Sequence, residues 1–184
     1  MKETGTAIGG YAPDFELPDT QGNVHHLTRY LETRQVVIVV FLGNACPHSR
    51  AYLDRLKQLQ ADYRERGVAV MAINANDPDR SEADRFENMK AFARETQLNF
   101  PYLRDVTQDV AESFGVRATP EAFAIDRSGI VRYRGQIDDN TEQPEAVDNP
   151  YLRTAIDRML DGRPIEPSAT VAVGCPILWR SRSS

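Results

Sequence analysis

Gln35–Arg50, QVVIVVFLGNACPHSR, decides how the rest of the chain is read. Val36–Leu42 is an apolar run without alternation, the pattern of a strand covered on both faces of a sheet. Pro47 cannot extend such a strand, but its fixed φ and missing N–H suit the first position of a helix. Cys46 therefore falls at or just before a helix N-terminus. The unpaired backbone N–H groups and positive dipole end found there favour thiolate over thiol. The competing reading is a small buried residue that only packs, as free cysteines commonly do.

Working outward, Pro47–Arg66 reads as a helix with Tyr52, Leu56, Leu59 and Tyr63 on one stripe, ended by Gly67. Val68–Asn74 is a second apolar strand, so the unit is strand–helix–strand, parallel and right-handed. Ser81 is placed to cap a helix reaching about Gln97, with Phe86, Met89 and Ala93 inward and its acidic residues on a solvated face. Asn99–Asp105 is extended and Thr107–Phe114 is a short helix closed by Gly115. A strand after Thr119-Pro120 turns at Asp126–Gly129 into an antiparallel strand over Ile130–Ile137. Residues 138–149 form an acidic loop. Asn149-Pro150 opens a last helix, with Leu152, Ile156 and Met159 inward and Gly162 as its stop. Upstream, residues 11–29 read as a β-hairpin turning at Gln21–Asn23. Its return strand carries His25 and His26 on opposite faces, which argues against a shared metal.

The chain has 184 residues, 41% hydrophobic and 27% charged, which fits one domain, residues 1–184, with a C-terminal tail over 163–184. A net charge of −5 argues against a nucleic-acid partner or an anionic membrane surface. No apolar run is long enough to span a bilayer. Met1–Gly10 lacks the apolar core of a secretory signal, so the expected location is cytoplasmic; a chain whose native leader had been removed would look the same. Two cysteines and three scattered histidines lack metal-ligand spacing, so no metal and no other cofactor is expected.

Five segments carry a resemblance: GNACPH (43–48), MAINAND (71–77), TPEAF (119–123), YRGQIDD (133–139) and GCPILW (174–179), behind the leading APDFELPDTQG. In this order they resemble the peroxiredoxin-like group of the alkyl hydroperoxide reductase/thiol-specific antioxidant (AhpC/TSA) superfamily, from about Ile8 to Trp179. The resemblance implies an α/β thioredoxin-like fold: a central mixed sheet flanked by helices, with an N-terminal β-hairpin and a C-terminal tail. It implies a cis bond at Thr119-Pro120, in a loop facing the reactive cysteine with backbone free to pair with an extended substrate. Pro47, Thr119 and Pro120 are then supporting residues.

The departures limit what carries over. The group usually has two cysteines separated by two residues, but the first position here is Gly43. In the thioredoxin register the second cysteine falls at Ser49. The peroxiredoxin Pro, Thr/Ser and Arg positions are Val39, Gly43 and Pro120, and Arg117 is the nearest substitute for the arginine. Cys46 is the candidate nucleophile, attacking a peroxide oxygen or a disulfide sulfur. His48 is either its assistant or a solvated helix-start residue. Cys175 is the candidate resolving cysteine, implied by the tail segment and offered within the chain or across a homodimer; a buried structural cysteine is the alternative. Trp179 is expected to anchor the tail. The expected function is a thiol-dependent oxidoreductase acting on a peroxide or disulfide substrate, with an external thiol reductant of thioredoxin or glutathione type. Two other readings stay open: a non-catalytic binding module on the same scaffold, and a one-cysteine enzyme resolved by an external thiol.

Overall fold

A computed structural model describes residues 5–181. The first four residues, part of the expected leaderless N-terminus, and the last three of the expected tail lie outside the described residues. The order is β1 (Glu16–Pro18), β2 (Val24–His26), α1 (Leu27–Thr33), β3 (Val36–Phe41), α2 (Pro47–Ala51), α3 (Leu53–Tyr63), β4 (Val68–Asn74), α4 (Phe86–Glu95), β5 (Tyr102–Arg104), α5 (Asp109–Phe114), β6 (Glu121–Asp126), β7 (Val131–Gly135) and α6 (Tyr151–Leu160).

All six residues of β3 are buried, and their alternation divides the core in two. Val36, Ile38 and Val40 pack with Tyr52, between α2 and α3, and with Leu56, Leu59, Met89, Leu152 and Ile156 from α3, α4 and α6. Val37, Val39 and Phe41 pack with Phe15, Leu27, Phe114 and Phe123 on the opposite face. Each such side chain, fully buried, is worth roughly 1.5–3 kcal/mol relative to exposure. Phe114 and Phe123 meet edge to face at 4.9 Å, with Phe41 against both.

The strands of the five-stranded sheet run β5-β4-β3-β6-β7. β3 is parallel to β4 with Val36 opposite Val68, and β4 is parallel to β5. β6 is antiparallel to β3 and β7 to β6. The hairpin β1–β2 sets Leu17 opposite His25. This is the mixed sheet flanked by helices, with an N-terminal hairpin, that the resemblance implied.

Four expectations need correction. The helix after Pro47 is not continuous: Tyr52, at φ −95° and ψ −5°, separates α2 from α3. Ser81 makes no side-chain cap; Glu82–Asp84 is a 3-10 turn, and Arg85, at ψ 148°, breaks the chain before α4. Asp84 is not on a solvated face but is 1% exposed. The hairpin also leads straight into α1, which the sequence reading did not separate from the return strand.

The chain after Gly162 crosses the ends of the sheet strands. Ser168–Thr170 lies parallel beside β7, with the Arg134 N–H donating to Ser168 O (3.2 Å) and the Thr170 N–H to Arg134 O (3.0 Å). Gly135, at φ 135°, leaves room for Thr170 to pass directly over it. Beyond Cys175, the Leu178 N–H donates to Asn76 Oδ1 (2.9 Å) and the Asp77 N–H to Leu178 O (2.8 Å). The tail is thus a strap fixed on both sides of Cys175.

Candidate active site

Cys46 is the N-cap of α2 and Pro47 its first residue, as the sequence reading placed them. The Cys46 N–H donates to Gly43 O (3.2 Å) and the Arg50 N–H to Cys46 O (3.0 Å), which closes the turn onto the helix. Asn44 is fixed from every side. Its N–H donates to Asp84 Oδ1 (2.7 Å), its amide nitrogen to Ala83 O (2.8 Å), and its carbonyl oxygen accepts from Arg50 Nε (2.6 Å). Tyr102 donates its hydroxyl to Asn44 Oδ1 (2.5 Å) and accepts from Asn74 Nδ2 (3.0 Å). Burial holds the Tyr102 phenol far above its ordinary range, so that proton stays in place. Asp84 also accepts from Asn74 Nδ2 (2.8 Å) and Asn76 Nδ2 (3.2 Å). One buried carboxylate therefore ties the cysteine turn to the end of β4 and, through Asn76, to the strap.

Cys46 and Cys175 form a disulfide, with Cα atoms 6.0 Å apart across 129 positions. Both cysteines come from one chain, so the bridge needs no second subunit. The bond sits against Thr119-Pro120, which is cis. The Thr119 N–H donates to Cys175 O (2.8 Å) and the Cys175 N–H to Thr119 O (2.9 Å), an antiparallel pair of backbone bonds. The Thr119 hydroxyl adds a third bond to Cys175 O (3.3 Å). Thr119 O also lies 3.3 Å from Cys46 Sγ, within reach of an S–H donor once the bridge is reduced. Cys46 feels the α2 N-terminus, which favours thiolate, and this carbonyl, which favours thiol. Cys46 is 5% exposed, whereas Cys175 is half-buried.

The loop before Pro120 is held by Glu121, itself 1% exposed. Its Oε1 accepts from the Arg117 N–H (2.8 Å) and its Oε2 from Arg134 Nη2 (2.9 Å). The Arg117 side chain is exposed. Ser49 is 1% exposed and accepts the Gly43 N–H (3.2 Å), so that position braces the turn instead of carrying sulfur. His48 Nδ1 is buried without a hydrogen-bond partner among the described residues. Val39 is fully buried in the core. The tail's apolar anchor is Ile177, 5% exposed and packed on the Phe15–Phe114 core, not Trp179, which is 38% exposed. Among the residues that matter, Asn44, Asn76, Asp84, Gln108 and Glu121 were not singled out from the sequence. Asn44, Asn76 and Glu121 lie inside the quoted GNACPH, MAINAND and TPEAF segments, which was the available signal. Gln108, at φ 67°, donates to Leu178 O (3.0 Å) and accepts the Arg180 N–H (3.0 Å).

The model of the AhpC/TSA family matches residues 8–134. The chain belongs to the AhpC/TSA family. Among its relatives is the thiol-disulfide oxidoreductase ResA of Geobacillus thermodenitrificans, 31% identical over 131 residues, 71% of this chain and 70% of that protein. The structure of an uncharacterised conserved protein from Geobacillus kaustophilus superposes with a TM-score of 0.89 at 35% identity, over 96% of this chain and 94% of that one. A Chlorobium tepidum protein assigned as thiol:disulfide interchange protein DsbE gives a TM-score of 0.66 at 28% identity, covering 84% and 99%. The fold is thioredoxin-like. For this AhpC/TSA member, the family match ends at Arg134, so Cys175 and the strap lie beyond it.

Proposed function

We propose that this chain is a thiol-dependent oxidoreductase that exchanges disulfides through the Cys46–Cys175 pair. The observation that carries the reading is the bridge itself, made between a helix-start cysteine and a cysteine strapped across the Thr119-Pro120 loop. Relatives named for thiol-disulfide exchange support it. The cycle balances without a cofactor. An external thiolate attacks Sγ of Cys175, the less buried of the two residues. The Cys46–Cys175 bond breaks and Cys46 leaves as a thiolate at the α2 N-terminus. A second reductant thiol then frees Cys175. The Cys46 thiolate attacks a substrate disulfide, forming a mixed disulfide and expelling one substrate thiolate, which takes up a proton. Cys175 attacks Cys46 Sγ, expels the second substrate thiolate and restores the bridge. The substrate is reduced by the two electrons the external thiol supplied. That reductant is of thioredoxin or glutathione type, and a cytoplasmic setting is part of the proposal because it keeps such thiols reduced.

Disulfide exchange is preferred over peroxide reduction because Val39, Gly43 and Pro120 offer no hydroxyl or guanidinium where a peroxiredoxin has its Pro, Thr/Ser and Arg. The test is to reduce the protein, add either one equivalent of hydrogen peroxide or a protein disulfide, and map the thiols by peptide mass spectrometry. Disulfide exchange predicts that Cys175→Ser accumulates a mixed disulfide on Cys46 and that Cys46→Ser accumulates none. Re-formation of the bridge by peroxide much faster than free cysteine reacts would reassign the protein as a peroxidase. A Cys46 inert to both reagents would leave a binding module.

A further inference from the structure

Gly174 is the one strap residue that cannot carry a side chain. A Cβ built there would run into the Thr119 carbonyl and approach Pro120 N at 3.1 Å. The obstacle is backbone, so no rotamer change relieves it. On the other side of Cys175, the strap follows strand alternation. Cys175 and Ile177 both face the protein, the first to Cys46 and the second into the apolar core beneath the hairpin. Leu178 is hydrogen-bonded through its backbone to Asn76, Asp77 and Gln108. The cleft therefore reads four features in an extended chain: no side chain before the cysteine, the cysteine, an apolar side chain two residues on, and a free backbone one residue further.

We propose that this cleft is a strand-addition site selective for Gly-Cys-x-apolar segments, of which the strap is the resident occupant. The external redox partner it fits is a protein presenting that pattern in an extended chain. The inference rests on the disulfide-exchange reading above and deepens it. Partner and strap compete for the same two backbone bonds at Thr119. A partner cysteine preceded by any residue with a Cβ loses both bonds, because the chains cannot approach.

The probes are the acetylated, amidated peptide VAVGCPILW (residues 171–179) and its analogues with Gly→Ala before the cysteine or Ile→Asp after it, each supplied as a mixed disulfide with glutathione. The protein is the full chain carrying Gly174→Val and Cys175→Ser, which frees the cleft and leaves Cys46 as its sole thiol. Cys46 attacks the peptide sulfur, the Cys46–peptide bond forms, and glutathione leaves as a thiolate that takes up a proton. At equilibrium with glutathione, the parent peptide is expected to hold Cys46 about tenfold or more better than either analogue, the scale of two lost backbone hydrogen bonds or one buried apolar side chain. In the full chain with Cys175→Ser alone, the strap remains as a competitor and the parent adduct forms more slowly. Equal adduct with all three peptides, while a small aromatic disulfide still titrates Cys46, would overturn the selectivity and leave disulfide exchange standing. A Cys46 that reacts with none of these reagents would overturn both.

Discussion

Gly43 faces Cys46 across the turn, where a Cβ would stand 3.6 Å from Cys46 Cβ. That lies inside the span of roughly 3.5–4.5 Å that disulfides bridge. The same Cβ would come 2.7 Å from Asn76 Nδ2, so the Asn76 amide must swing away. It is a side chain and can move, but it gives up bonds to Asp84 and to the Leu178 N–H. Gly43→Cys therefore does two things at once: it supplies a thiol three positions from Cys46, and it loosens the clamp on the far side of Cys175. Closing a loop of a few residues carries a smaller chain-entropy penalty than closing one across 129 positions. Non-reducing peptide mapping of this variant is expected to find Cys46 joined mainly to the introduced thiol, with Cys175 free. Cys46 still bonded to Cys175 would mean that the strap holds its cysteine more firmly than local closure can match. The two native cysteines were legible in the sequence because residue type alone announces their chemistry. Asp84 was not, since its role exists only once a turn 40 positions downstream folds beneath Asn44.

At the scale of elements, the loop before β6 depends on an ion pair that joins β6 to β7. Arg134 is 12% exposed and Glu121 1%. Removing the cation leaves a carboxylate buried without its counter-charge. Arg134→Leu is expected to cost roughly 3–5 kcal/mol in urea unfolding, and to slow disulfide exchange because Thr119 sits on the freed loop. Adding Glu121→Gln should recover much of the stability; failure to recover it would place the loss in Arg134 packing over Phe123. The hairpin carries a pH dependence of its own. Burial raises the Asp19 pKa, but hydrogen bonds from His25, Asn23 and Gln21 together hold it below the ordinary value. A depressed carboxylate stabilises the fold above its unfolded pKa of about 3.9 and loses that contribution as pH falls through the folded value. Asp19→Asn is thus expected to flatten the acid limb of the stability profile and change little near pH 7 in its slope. The elements themselves were readable where apolar periodicity was long, as in β3, β4 and α6. They were misread where a start signal was missing or misleading. α1 has no side-chain cap and no acidic first turn. Ser81 looks like a cap but makes no such bond, because the chain first closes a 3-10 turn.

Across the whole molecule, the bridge joins a stable sheet to a strap that could not hold itself as firmly. Of the strap's apolar side chains, Ile177 is buried, whereas Val171 and Val173 are exposed at 69% and 52% and Trp179 at 38%. A segment with little apolar burial and its backbone bonds near solvent opens at low free energy unless tied down. The Cys46–Cys175 bond supplies a covalent tie, and its reduction is expected to ease uncovering of the cleft. Reduction is expected to lower unfolding stability by roughly 2–4 kcal/mol, about 5–15 °C in a melting temperature for a chain of this size. The change should not be uniform. Hydrogen exchange in the reduced protein should accelerate at the amides of Thr119, Thr170, Cys175 and Leu178, which bond along or across the strap. Amides of β3 and β4, paired inside the sheet, should keep their protection. Equal acceleration everywhere would mean that reduction weakens the molecule as a whole. Unchanged protection along the strap would mean that its hydrogen bonds and Ile177 suffice without the sulfur, and that an external partner must displace the strap instead of finding it already open.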